Sequence, residues 1–477
     1  ELIMALKKIY LKDYQPHPFA IKKAKLCYEL SPRSTIVSSE LEVSRNPLSE
    51  DQTDELVLDG VNLKLVSIHL NDVALSESDY QVDDEKLIIK NIDEECNLKI
   101  LVEISPETNK ALSGLYMSNG NFCTQCESHG FRRMTYFIDR PDNLCQFTTQ
   151  IIADNSKYPV VLGNGNCVEE KIDGGKAFVT WDDPTLKPCY LFALVAGDFE
   201  SIHSDFKTMT DRNVKLGIYV EKGKLDQANF AMVSLQKAMA WDEQKYGCVY
   251  DLDVYNVVGV SDFNYGAMEN KGLNIFNTSY MLANPKTATD NDYINILGVI
   301  GHEYFHNWSG NRITLKNWFQ LSLKEGLTVF RDQHFTADMT DPVVKRIHDV
   351  NIIKNYQFAE DQGPMSHPVR PHAYVSMNNF YTSTVYNKGA EVIRMIKTLL
   401  GADKFRQGMD YYFKNNDGQA VTIDEFVGAM EWAGGIDLSQ FKRWYDQSGT
   451  PLVSIEKEYS EANKSLVIKC RQKTTTI

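Results

Sequence analysis

Long apolar runs are scarce in this 477-residue sequence. The longest, Tyr190 to Gly197, falls well short of the roughly 20 residues that a membrane-crossing helix needs. No membrane partner is therefore expected, and the run reads as a buried strand. Cysteine is thin as well: nine residues, an odd number, lie scattered along the chain. That is unlike the dense, even frameworks of small disulfide-stapled domains, and a reducing, cytoplasmic setting fits it better. Cys123 and Cys126 make one Cys-x-x-Cys pair, but no second pair follows at zinc-ribbon spacing, so two free thiols are expected there. Positive charge is in deficit, with 50 Lys and Arg against 64 Asp and Glu. The resulting net charge of −14 argues against a nucleic-acid partner, whose binding rests on clustered cations that displace counterions from phosphates. Internal repeats and low-complexity stretches are lacking too, and Glu1 to Tyr10 has no apolar core of the kind a signal peptide carries.

The chain is long enough for two or three domains with well-buried cores. From about Thr35 to Glu200 short runs alternate with period two, as in Leu98 to Ile104, where Leu98, Ile100, Val102 and Ile104 share one face. Past Gly197 the pattern turns mixed and then helical, with helices predicted over Leu225–Tyr246, Tyr293–Trp308, Phe319–Phe335, Tyr386–Leu400 and Ile423–Ala433. Beyond Gly449-Thr450-Pro451 the alternation returns. The fold class expected is multidomain α+β. An N-terminal antiparallel β domain covers 1–197, a mixed and then helical catalytic domain covers 198–449, and the start of a third, small β domain covers 450–477.

His302-Glu303-Tyr304-Phe305-His306 falls inside the predicted helix that opens near Asp290, a candidate N-cap, so the two histidines share a face four residues apart. Imidazole nitrogens at that spacing suit zinc, and a catalytic zinc site takes three protein ligands plus one open position. Glu325 lies in the next helix, where antiparallel packing would bring it beside the histidines and complete a His, His, Glu set around one zinc ion. Glu303 neighbours both ligands, where a general base must sit to take a proton from water. The alternative is a pair of helix histidines satisfied by hydrogen bonds alone.

Gly266-Ala267-Met268-Glu269-Asn270, together with His302, Glu303, His306 and Glu325, closely resembles the aminopeptidase N family of gluzincin metallopeptidases. Thr124-Gln125-Cys126-Glu127, Trp318 to Leu327 and Asn379-Phe380-Tyr381-Thr382-Ser383-Thr384-Val385-Tyr386 place the likeness in the bacterial branch of that family. The resemblance covers the whole chain and implies a thermolysin-like catalytic domain after the β domain. In the family a large helical domain follows, so the chain resembles a fragment ending before it, with a cleft expected to be more open. The activity implied is zinc-dependent removal of single amino acids from peptides with a free N-terminus, by a monomer. Resemblance assigns Glu269 and Glu127 to the substrate's α-amine, with Gln125 assisting, and Tyr386 to a hydrogen bond on the developing oxyanion. Tyr381, in the same motif as Tyr386, joins the substrate-binding set. Gly266 and Ala267, with Met268 and Asn270 beside them, would let a substrate backbone pair closely along this segment. Tyr265 departs from the Met common in this branch, at the wall of the pocket for the first side chain. A zinc endopeptidase and an epoxide hydrolase are the competing readings. The second normally carries Gly-Gly-Met-Glu-Asn, against which Ala267 speaks.

Overall fold

The computed structural model describes residues 8–474. Its N-terminal part is built on an eight-stranded sheet, ordered Asn166–Asp173, Lys176–Lys187, Cys145–Asp154, Phe19–Glu29, Thr35–Arg45, Glu95–Ile104, Lys64–Leu70 and Val73–Ala74. Pairing is antiparallel except where Phe19–Glu29 runs parallel to Cys145–Asp154. Alternate residues of Cys145–Asp154 are buried, the period-two signature of a sheet with one face on a core. Phe131 meets Phe137, Phe147 and Phe192 edge-on in that core. A second sheet, ordered Gly114–Ser118, Asn121–Gln125, Leu194–Gly197 and Val160–Gly163, carries Gln125 at the end of a fully buried strand.

The apolar run Tyr190 to Gly197 is not one strand. Its first residues belong to a tight turn over Cys189–Leu191, and only Leu194–Gly197 is extended. Asn164 makes the break possible in a dry interior, donating to the Leu191 carbonyl and accepting from the Ala193 amide.

A five-stranded sheet follows, ordered Phe199–Lys207, Asn213–Glu221, Val254–Val260, Leu273–Asn277 and Ala267–Met268. Its three central strands are parallel and its two edges antiparallel. The helices then dominate: α1 (Asn229–Tyr246), α2 (Asp290–Phe305), α3 (Leu321–Met339) and α4 (Pro342–Ile352), with further helices over Gly389–Leu400, Ala402–Asn416 and Ile423–Gly434. α2 is capped by Thr289 rather than Asp290. The Thr289 hydroxyl accepts from the Asp292 amide while the Asp292 carboxylate accepts from the Thr289 amide, a reciprocal box that a Thr-x-x-Asp spacing allows. Trp241, Phe305 and Phe335 join α1, α2 and α3 in one aromatic cluster. Gly301 lets α2 approach α3, since a Cβ there would stand 2.7 Å from the Phe335 ring. The helix predicted to start at Tyr386 begins instead as a π turn over Thr384–Lys388, and regular α-helix starts at Gly389. At the end of the described residues, Leu452–Ser460 and Ser465–Lys473 form a hairpin whose side chains are almost all exposed.

No helix among the described residues is long and apolar enough to cross a membrane.

Candidate metal centre

His302 lies in the last turn of α2 and His306 is its C-cap, while Glu325 sits in the second turn of α3. The histidines' Nε2 atoms are 3.0 Å apart, and Glu325 Oε2 is 3.4 Å from each. Zinc bound at about 2.0–2.1 Å in a tetrahedron requires ligand atoms about 3.3–3.4 Å apart, so the triad matches the ion's dimensions closely. Each histidine is oriented through its other nitrogen. His302 Nδ1 lies 2.6 Å from Asp332 Oδ2, and His306 Nδ1 lies 2.8 Å from the Ser309 carbonyl. A carbonyl can only accept, so His306 carries its proton on Nδ1 and presents a bare Nε2 toward the triad. Glu325 Oε2 is buried with no hydrogen-bond donor, as expected of an oxygen reserved for a cation. Burial opposes ionisation of Glu325, but Lys324 and the two histidines outweigh it and hold this carboxyl well below its usual range.

Glu303 is also buried, within 4.8 Å of ligand atoms of His306 and Glu269. Its Oε2 has no partner, and burial pushes its pKa up to about 8 against the pull of His302. Glu127 follows the strand that ends at Gln125, whose side-chain amide donates to the Glu127 carbonyl at 3.3 Å. The Glu127 and Glu269 carboxylates share one cation, since Lys324 Nζ stands 2.8 Å from Glu127, 2.6 Å from Glu269 and 2.5 Å from Glu325. All four side chains are buried, and three carboxylates this close need the ammonium among them. The Tyr381 hydroxyl supplies a further donor to Glu127. Tyr386 lies in the π turn with its ring nearly parallel to that of His302, centroids 6.5 Å apart. Its hydroxyl donates to no group among the described residues.

Apart from Lys324, these side chains line one cavity of about 490 Å3, into which Tyr265, Gly266, Ala267 and Met268 also project a wall. Ala267 and Met268 form the short edge strand of the five-stranded sheet, hydrogen-bonded on one side only. Asn270 is different: it is fully buried and does not line the cavity.

Two family models match the chain. The peptidase M1 N-terminal domain matches residues 20–191 and the peptidase family M1 domain matches residues 230–445. The chain belongs to peptidase family M1. Among M1 relatives it is 51% identical to aminopeptidase N of Escherichia coli (strain K12), over 98% of this chain and 53% of that protein. It is 52% identical to aminopeptidase N of Caulobacter vibrioides, over 96% of this chain and 53% of that protein. A crystal structure of Legionella pneumophila aminopeptidase A in complex with aspartic acid superposes with a TM-score of 0.91 at 34% identity, covering 98% of this chain and 54% of that one. The chain thus spans about half the length of the curated relatives it matches.

Beside the M1 motifs, three residues of the site went unnoticed in the sequence. Asp332 lies seven positions after Glu325, two helical turns along the same face, a spacing that could have pointed to it. Lys324 stands next to a ligand, but nothing local says that its ammonium folds back among carboxylates. Ser309 acts through its backbone carbonyl, which no residue type signals.

Proposed function

We propose that the chain is a zinc-dependent aminopeptidase that removes single residues from peptides with a free N-terminus. The observation that carries this reading is the pair of buried carboxylates, Glu127 and Glu269, beside the His302, His306 and Glu325 triad. The triad fits one zinc ion, which when bound supplies Lewis acidity that polarises the scissile carbonyl and acidifies water.

The chain's own residues do the rest. Glu127 and Glu269 take the substrate's α-ammonium in charge-assisted hydrogen bonds, which fixes the register so that the first peptide bond meets Glu303. Gln125 lends its unpartnered Oε1 to the same ammonium. The edge strand at Ala267–Met268, preceded by Gly266, offers backbone groups along which the substrate is laid. Glu303 accepts the proton of the attacking water and returns it to the leaving amine. Tyr386, whose phenol burial keeps protonated, donates to the oxyanion as the carbonyl is attacked. Tyr265 walls the space for the first side chain. An endopeptidase would gain nothing from two buried carboxylates at this distance from the metal ligands.

All nine cysteines are free thiols, which supports the cytoplasm. The test pairs metal analysis with amino-acid release from an unblocked peptide and its N-acetylated twin. One zinc per chain, cleavage of the unblocked peptide alone and loss of cleavage in Glu303→Ala are expected. Equal cleavage of the acetylated peptide would refute the reading.

A further inference from the structure

Arg331 is wholly buried in α3, six residues beyond Glu325, and lies outside the cavity lining. A guanidinium in a dry core is costly unless it is paired and its donors are used. Here Nη2 pairs with Asp242 of α1, and Nη1 donates twice, to the Phe305 carbonyl at 2.7 Å and to the Ser309 hydroxyl at 2.9 Å. The rings of Tyr246, Phe305 and Phe413 box the charge at 5.1 to 5.6 Å. Both Nη1 acceptors flank His306. Phe305 precedes it, and Ser309 supplies the carbonyl that receives the His306 Nδ1 proton. Thr328 closes the ring, its hydroxyl 2.8 Å from the Ser309 hydroxyl, 3.1 Å from the Ser309 carbonyl and 3.2 Å from His306 Nδ1.

We propose that Arg331, anchored by Asp242, is a positioning residue for the metal ligand His306, holding the Phe305 to Ser309 turn so that Nε2 faces Glu325 and His302. The inference rests on reading His306 as a zinc ligand. The physical case is economy of freedom. A histidine at the end of a helix keeps its orientation only while the carbonyls of that turn are held. The Phe305 carbonyl accepts from the Trp308 and Ser309 amides and the Ser309 hydroxyl as well as from Arg331. Arg331 holds one and fixes the residue that offers the other. It lies on the helix that carries Glu325, so ligand and clamp move as one body. Asp242 ties this body to α1.

The experiment measures zinc affinity by competition with a chromophoric chelator, and the visible absorption of the protein loaded with Co(II), for wild type, Asp242→Leu/Arg331→Met and Ser309→Ala. The double variant removes both buried charges together, a change that cores commonly tolerate. Ser309→Ala keeps both charges and removes only the gripped hydroxyl. Zinc affinity is expected to fall about 10- to 100-fold in the double variant, the usual cost of losing an outer partner of a metal ligand, and several-fold in Ser309→Ala. The cobalt bands should shift in both. A purely structural role would lower the melting temperature of the metal-free protein and leave affinity and spectrum of the folded protein unchanged. Wild-type affinity and spectrum in either folded variant therefore overturn the proposal. Failure of the wild-type protein itself to take up zinc would overturn the metal reading, and this inference with it.

Discussion

The Tyr381 hydroxyl donates to Glu127 Oε1 at 2.7 Å, across 254 positions of sequence. It ties the catalytic side of the cavity to the one carboxylate contributed by the N-terminal sheets. Burial, with Glu127 beside it, pushes the Tyr381 phenol well above its ordinary pKa, so it stays a donor throughout the physiological range. Tyr381→Phe leaves a buried carboxylate one donor short, which costs about 1–2 kcal/mol. If Glu127 binds the α-amine, the variant should show KM raised roughly 10-fold on aminoacyl amides, with kcat changed far less. A fall in kcat at constant KM would place Tyr381 in the chemical step instead.

Among the described residues the Tyr386 hydroxyl has no partner, although its ring stands beside that of His302. Tyr386→Phe should therefore fold normally, keep its zinc and lose about 100- to 1,000-fold in kcat, the size found when one oxyanion donor is removed. Steady-state kinetics with metal analysis on the same sample decides it. Unimpaired turnover would remove Tyr386 from the mechanism.

Tyr265 packs its ring 5.5 Å from that of Tyr381, and Gly266 beside it admits no Cβ without a 3.3 Å approach to Tyr280. This wall is crowded and aromatic. Tyr265→Ala should raise kcat/KM on phenylalanyl and leucyl amides relative to alanyl amide by about 10-fold, one or two methylenes' worth of pocket discrimination. An unchanged ratio would place the first side chain elsewhere.

His334 is held neutral in the folded protein. Its Nδ1 hydrogen meets the Phe330 carbonyl at 2.7 Å, and Nε2 faces the Lys397 ammonium at 3.0 Å. Burial first, and Lys397 second, lower its pKa from 6.5 to about 4. The unfolded chain takes up a proton below about 6.5 that the folded one refuses. The stability His334 confers is therefore complete above 6.5 and lost as pH falls toward 4, at most about 3 kcal/mol in all. Urea unfolding at pH 7 and pH 4.5 should show a smaller acid loss for His334→Gln than for wild type. Equal losses would refute the assignment.

What the sequence settled is what short-range geometry enforces. Two histidines four apart in a helix must share a face, because the hydrogen-bonded turn repeats every 3.6 residues. Glu303 between them must lie close to both, and the motifs around Glu269 and Glu325 were enough to indicate the family. The β-rich first part followed by a helical second part was equally plain from the change of hydrophobic period. Only the tertiary structure decided the rest. It set the separations of 3.0 and 3.4 Å within the triad, brought Glu127 to Glu269 through Lys324, and chose Asp332 and the Ser309 carbonyl as the histidines' orienting partners. It also moved the cap of α2 to Thr289, broke the run at Tyr190 into turn and strand, and put Tyr386 in a π turn. Apart from the Thr289 cap, whose Thr-x-x-Asp box is local, the deciding contact in each case joins residues far apart in sequence, or lies in backbone groups that every residue shares. Such contacts depend on how helices and sheets pack against one another, which local pattern does not encode.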